Sequence, residues 1–199
     1  MPLKVLVACE YSGTVREAFR RRGHYALSCD LLPADDNSPH HYQGDVLDIL
    51  HDGWDLMIAH PPCTYLAVSG LHWNKRIEGR AQKTEEALEF VRLLLDAPIP
   101  KIALENPVSC ISTRIRKPDQ IIQPWYFGDD ASKKTCLWLK GLPPLVETNR
   151  LEGDERTRRA NQTPSGQNKL GPSADRWKLR SKTYQGIADA MAEQWGNCV

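Results

Sequence analysis

Pro61 and Pro62 follow directly on the apolar run Leu56-Met57-Ile58-Ala59. A short buried run of this kind predicts a strand, and proline, with its fixed φ and missing N–H, cannot continue a sheet ladder. The chain must therefore leave the sheet at this point, and the residue it presents next is Cys63. In an open α/β sheet, ligands sit outside the carboxyl ends of the strands, so the thiol is offered on the edge where chemistry is done. One cysteine at a strand end is more often incidental than catalytic. Its weight depends on what else the chain brings to that edge.

The flanking sequence predicts the rest of such a sheet. Lys4–Cys9 is a Val/Leu-rich strand, followed by the small-residue turn Glu10-Tyr11-Ser12-Gly13 and a helix whose apolar positions are Val15, Ala18 and Phe19, ended by Gly23. Strand, tight turn and helix form the first unit of a doubly wound sheet, and the turn with its helix N-terminus is a natural cofactor cradle. Tyr25–Cys29 predicts a second strand ending in Asp30, an acid placed where nucleoside cofactors present ribose hydroxyls. After a polar loop containing His40-His41, expected at the surface, Gly44-Asp45-Val46 sets another acid just past a turn. Arg80–Ala97 is an amphipathic helix with Ala87, Leu88, Val91, Leu94 and Leu95 on its apolar face, closed by Pro98. Lys101–Leu104 is a further strand that delivers Glu105-Asn106-Pro107, again with a proline at its end. Three strand tips thus present Glu10, Cys63 and Glu105 along one edge.

The second half is less regular. Ser109–Ser132 is loop-rich, and its aromatic run Trp125-Tyr126-Phe127 suits core packing better than base stacking. Cys136–Leu139 is a late strand and Gly186–Trp195 a short terminal helix. The whole predicts one α/β domain over 1–199, a doubly wound, mostly parallel sheet with flanking helices. A net charge of +1 says little, but between Arg150 and Lys182 nine Lys/Arg face four Asp/Glu, which makes 146–180 a candidate polyanion-facing loop or reduced insert. The six cysteines are scattered, without metal-ligand spacing, which suits a reducing cytoplasm, and no metal is expected. No apolar run has the length of a membrane span or the form of a signal peptide.

A thiol, a carboxylic acid and a cofactor cleft fit one reaction well. Addition of a thiolate to C6 of cytosine makes C5 nucleophilic toward an electrophilic methyl group, and an acid at N3 relieves the charge placed on the ring. Here the chain resembles the C5-cytosine DNA methyltransferases, in particular their short phage and prophage members. Pro61-Pro62-Cys63 resembles the family's Pro-Cys loop and Glu105-Asn106-Pro107 its Glu-Asn-Val motif, in the same order and spacing. The resemblance covers nearly all of the chain outside about 35 residues at 146–180. It implies a Rossmann-like class I fold dependent on S-adenosylmethionine, with Cys63 as nucleophile, Glu105 engaging the cytosine N3 and amino group, and Asn106 fixing the loop. It further implies cofactor contacts from Glu10, Tyr11, Ser12, Gly13, Asp30, Asp45 and Pro61, and a terminal helix (183–196) that packs back on the cofactor side. Substrate contacts fall to His60, Pro62, Thr64, Arg180 and Lys182, with DNA as partner in a bacterial or phage-infected cytoplasm.

The chain also departs from the family. Glu10 stands where a glycine is usual, Ala59-His60 replace two glycines, and Thr64 replaces a glutamine. No Gln-x-Arg-x-Arg motif is present; Arg180-Ser181-Lys182, or Lys133-Lys134-Thr135, takes its place. No full-sized target-recognition domain is present either. Three alternatives stay open on the sequence: an amino-group methyltransferase, for which His60-Pro61-Pro62-Cys63 has the shape of the target-amine tetrapeptide, a C5 enzyme acting on a free nucleotide, and a catalytically silent DNA-binding homologue.

Overall fold

The computed structural model describes residues 1–154, 157–158, 160–163 and 168–197. Cys198 and parts of the basic 146–180 segment, Arg156 and Arg159 among them, lie outside the described residues. Seven strands, β1 (Lys4–Ala8), β2 (Tyr25–Asp30), β3 (His41–Gln43), β4 (Leu56–Ala59), β5 (Lys101–Pro107), β6 (Gln120–Ile122) and β7 (Thr135–Lys140), form one sheet in the order β3-β2-β1-β4-β5-β7-β6. Neighbours from β3 to β5 pair in parallel, whereas β7 runs antiparallel to both β5 and β6. This is the doubly wound, mostly parallel sheet with flanking helices expected from the sequence. The helices are α1 (Thr14–Arg21), α2 (Arg80–Leu95), α3 (Ile111–Arg114), α4 (Arg176–Ser181) and α5 (Gln185–Gly196).

Period-two alternation along the strands feeds two cores. Leu6, Ala8, Met57 and Ala59 face the layer of α2, where Leu88, Val91 and Leu94 are buried with Trp138 of β7. Val5, Val7, Leu56 and Ile58 point the other way, against Val15, Ala18 and Phe19 of α1 and Ile187, Met191 and Trp195 of α5. Ion pairs from Arg21 to Asp189 and from Arg22 to Glu193 run along the α1–α5 seam. The first turn of α5 fits only because residue 186 is glycine. Its N–H donates to Asp129 Oδ2 at 3.0 Å, and a Cβ there would strike the Phe127 carbonyl oxygen.

Several elements differ from the sequence expectation. The stretch around His41 is edge strand β3, and the His41 ring bonds Ser28 Oγ at 2.8 Å and the Leu32 carbonyl at 2.9 Å. β6 forms inside the region read as loop. β5 runs on through Pro107, because its β4 partners end at Leu104 while β7 keeps pairing as far as Pro107. The segment 146–180 contains α4, a helix with no buried residue. Trp125 and Phe127 are buried, so that aromatic run serves the core. Among the described residues, no helix is long and apolar enough to cross a membrane.

Leu88→Ala should test the α2 layer. The side chain is fully buried, so its truncation is expected to cost about 2–5 kcal/mol, seen as a lower urea midpoint with an unchanged slope.

Candidate active site at the carboxyl edge

The strand order reverses between β1 and β4, so the crevice at their carboxyl ends is the topological switch point where ligands of such sheets bind. Glu10 and His60 stand on its two lips. At the β1 tip Cys9 takes a left-handed conformation (φ 60°), and Glu10 follows, buried. Its Oε1 accepts from the Val15 N–H at 2.7 Å and its Oε2 from the Arg16 N–H at 3.2 Å. Glu10 therefore supplies the negative charge that the N-terminus of α1 favours, a service that Gly13 at the N-cap cannot give. Burial pushes the Glu10 carboxyl up, against the nearby His60 ring and the two N–H groups. Ser12 Oγ donates to the same carboxylate at 3.4 Å. Space above Gly13 is filled by Arg16, a fully buried guanidinium held by Glu17, Ser28 and Asp36. Arg16 was not singled out by the sequence, where it lay on the polar side of an amphipathic helix.

At the β4 tip the His60 N–H extends the ladder to the Ala8 carbonyl at 2.9 Å. Its ring Nδ1 lies 3.0 Å from Glu105 Oε2, and Nε2 is buried without a protein partner. One residue on, the Pro61 carbonyl accepts from Asn106 Nδ2 at 2.8 Å. Pro62, Cys63 and Thr64 are exposed. The Cys63 carbonyl accepts from the N–H groups of Leu66 (3.0 Å) and Ala67 (2.9 Å), which shapes the loop into a tight turn.

The electrostatics of this corner are opposed. Burial pushes the Glu105 carboxyl up, but the His60 hydrogen bond, Lys133 and the His60 charge outweigh it and hold it below the usual carboxylate range. Cys63 is exposed as a residue, yet its sulfur is partly desolvated at the cleft mouth, and that desolvation followed by the Glu105 charge keeps the thiol above its ordinary pKa. Lys133 and Arg180 pull it down. Both of the basic segments weighed in the sequence thus reach the thiol, and Lys133 Nζ also donates to the Arg180 carbonyl at 3.2 Å.

Above the edge, α4 lies as a strap. The Tyr11 hydroxyl donates to the Lys178 carbonyl at 2.6 Å and lies 3.0 Å from Ser181 Oγ, and Lys182 Nζ pairs with Asp35 at 2.6 Å. Glu105, Lys133, Thr135, Thr183, Tyr184 and Ile187 line a narrow cleft beside it. Asp30 and Asp45 sit at the neighbouring tips, close enough for both to act on the Cys9 thiol. Asp30 Oδ1 accepts from the Leu32 N–H at 2.9 Å and Asp45 Oδ1 from the Leu47 N–H at 3.0 Å. Burial raises the Asp30 carboxyl. The structure therefore gathers His60, Cys63, Glu105, Asn106 and Arg180 around one cleft, with Glu10 behind them. Lys182 is turned to Asp35, and Thr64 offers its carbonyl to Arg80 at 2.9 Å.

No protein-family model matches the chain, and no curated protein matches it. Among solved structures, one similar to it is a candidate DNA modification methyltransferase encoded within an E. coli prophage, at 15% identity and a TM-score of 0.46, over 69% of this chain and 46% of that one. The chain spans somewhat less than half the length of that protein.

The Glu105 charge sets a testable sign. It raises the Cys63 thiol, so Glu105→Gln should lower that pKa and enlarge the thiolate fraction at any pH below it. Alkylation of Cys63 by iodoacetamide, followed by peptide mass mapping across pH, should quicken by about tenfold per unit of pKa lost. Arg180→Gln should slow it. An unchanged or slower rate in Glu105→Gln would refute the coupling.

Proposed function

We propose that this chain is a DNA methyltransferase that transfers a methyl group from S-adenosylmethionine to C5 of cytosine through Cys63. The observation that carries the reading is the pairing at the β4 and β5 tips. An accessible thiol and a fixed carboxylate share one cleft, and Asn106 Nδ2 holds the Pro61 carbonyl that leads into the thiol's loop.

The residues fit such a donor in part. The buried, unpartnered Nε2 of His60 lies at the switch-point crevice and suits a polar ligand group there. Asp30 and Asp45, at the next strand tips, suit the ribose hydroxyls and the adenine amino group, whereas the space above Gly13 is taken by Arg16. The first turn of α1 is a poorer fit, since Glu10 already occupies two of its N–H groups. In this reading Glu10 shapes the pocket from beneath. S-adenosylmethionine, when bound, supplies the electrophilic methyl group.

The protein's own part runs as follows. Cys63 gives its proton to the ionised Glu105 beside it, Lys133 and Arg180 favour the thiolate, and the sulfur bonds to C6 of the ring. Glu105, oriented by His60, accepts from the exocyclic amino group and passes the proton taken from Cys63 to N3, so charge pushed onto the ring is neutralised at a fixed site. C5 then takes the methyl group and gives its proton to water, the Cys63–C6 bond breaks, and the proton on N3 returns through Glu105 to the departing sulfur. Asn106 keeps the loop in register with Glu105. The basic segment around Arg180 faces the phosphates, which makes DNA affinity fall steeply with salt.

DNA carrying 5-fluorocytosine separates this chemistry from transfer to an amino group, because fluorine at C5 cannot leave as a proton and the sulfur stays bound. Wild-type protein with S-adenosylmethionine should form an adduct that survives denaturing electrophoresis, and Cys63→Ser should form none. Methyl transfer to cytosine DNA at wild-type rate by Cys63→Ser would sink the proposal. Asp30→Ala should weaken S-adenosylmethionine in calorimetry by roughly tenfold, the loss of about one charge-assisted hydrogen bond, and leave DNA affinity unchanged.

A further inference from the structure

Residues 64–83, which follow Cys63, are anchored in the core by Leu66 and in part by Leu71 and present the rest of their side chains outward. The 3-10 stretch Val68–Lys75 contains no buried residue. Val68, Trp73 and Ile77 are 52%, 43% and 49% exposed, three large apolar side chains within ten positions. Isolated exposed apolar residues are ordinary, whereas a cluster marks a contact surface. Its chemistry is specific. The Trp73 ring has His72 against it at 4.8 Å and the Arg76 guanidinium at 5.6 Å. The Tyr65 ring carries Arg80 at 4.9 Å and Lys83 at 5.5 Å. Across 64–83 four basic residues, Lys75, Arg76, Arg80 and Lys83, face one acid, Glu78.

The surface is also held in shape. Thr84 Oγ1 donates to the Tyr65 carbonyl at 3.0 Å, and Asn74 Nδ2 donates to Thr84 Oγ1 at 2.9 Å. Arg80 Nη2 reaches the Thr64 carbonyl at 2.9 Å, and the Val68 N–H reaches the Val108 carbonyl at 3.2 Å. Aromatic faces among cations, ordered but unburied, are what a single nucleic-acid strand requires: its unstacked bases lie on the rings and its phosphates meet the cations. A duplex keeps its bases stacked on one another and offers the rings nothing comparable.

We propose that residues 64–83 are a platform for single-stranded DNA, with bases beside the target stacking on Trp73 and Tyr65 and their phosphates on Lys75, Arg76 and Lys83. That the strand is DNA rests on the function proposed above; the platform itself rests on the exposed Trp73 ring, the half-buried Tyr65 ring and the cations over them. Chemistry at C6 of a base needs that base out of the helical stack, and the platform begins one residue from the thiol. It supplies in place, from the loop after β4, a grip on an opened strand.

Fluorescence anisotropy of labelled oligo-dT, measured over a range of salt with no cofactor present, tests this. Wild type and Cys63→Ser should bind alike, and more tightly than either binds a duplex of the same length. Trp73→Ala should weaken binding by roughly 5- to 100-fold, and Trp73→Phe should restore most of it. Arg76→Gln with Lys83→Gln should reduce the slope of log affinity against log salt by about 1.4. Trp73 is exposed, so its variants should keep the wild-type unfolding midpoint. Undiminished binding by Trp73→Ala, no binding by wild type, or a wild-type preference for duplex overturns the proposal. Oligo-dT has no cytosine, so platform and methyl transfer fail separately. Lost binding in the variants stands even if wild type never methylates, and methylation by Trp73→Ala with unchanged KM for DNA removes the platform alone.

Discussion

The hydrogen bond from the Asn106 amide to the Pro61 carbonyl decides the shape of the carboxyl edge around Cys63. Pro61 cannot donate to a neighbouring strand, and the β4–β5 ladder stops two residue pairs earlier, at Ala59 and Leu104. Past that point the two chains would separate. Asn106 bridges them at 2.8 Å with its side chain and is itself kept extended by pairing with Cys136 of β7. The reversed strand is therefore a working part of the site. Without β7, β5 would end where β4 does, and Glu105 and Asn106 would lie on a loose loop. Because Asn106 is buried, losing its amide would leave the Pro61 carbonyl unpaired at a cost of about 1–3 kcal/mol, most of it borne by the loop that carries Cys63.

Charge is arranged around that bridge with competing demands. In the resting site Glu105 is held fixed and ionised beside a sulfur that it makes harder to deprotonate. His60 serves the first demand by its 3.0 Å contact, and Lys133 and Arg180 serve the second. They reach the cleft from different elements, Lys133 from the lead-in to β7 and Arg180 from α4, and the Lys133–Arg180 hydrogen bond joins them. Glu10 behaves differently. Its charge is spent on the N-terminus of α1, so it is a structural acid beneath the crevice, with His60 between it and Glu105.

Much of this was legible in the residues, and the boundary of legibility is physical. Strands β1, β2, β4 and β7 and helices α1, α2 and α5 bury continuous or periodic apolar faces, and such patterns survive in a linear sequence. β3 and β6 do not. His41-Tyr42-Gln43 and Gln120-Ile121-Ile122 are three-residue edge strands whose conformation comes from the partner that pairs with them. α4 buries nothing and is held by Tyr11 and Asp35 from far along the chain. The same division holds at the site. Proline breaks announced Cys63, Glu105 and Asn106, because a strand end is a local property. The capping of α1 by Glu10 and the seating of Glu105 by His60 join residues on different elements, and no spacing encodes them.

Basic residues are consequently less concentrated than the sequence alone suggests. The excess between Arg150 and Lys182 drew attention to that segment, yet part of it is neutralised in place: Lys182 by Asp35, Arg150 by Glu147 while stacked over Trp125 and Tyr126, and Arg158 by Asp130. The cations of 64–83 are fewer and less conspicuous in a charge count, but Arg76 lies against the exposed Trp73 ring and Arg80 and Lys83 against the half-buried Tyr65 ring. A phosphate contact positions a strand, whereas a stacked base also fixes its orientation. Cys63 is flanked by both kinds of surface, Arg180 on the α4 side and Tyr65 two residues along its own loop. A strand gripped on the loop side and neutralised on the strap side would place a base over the thiol.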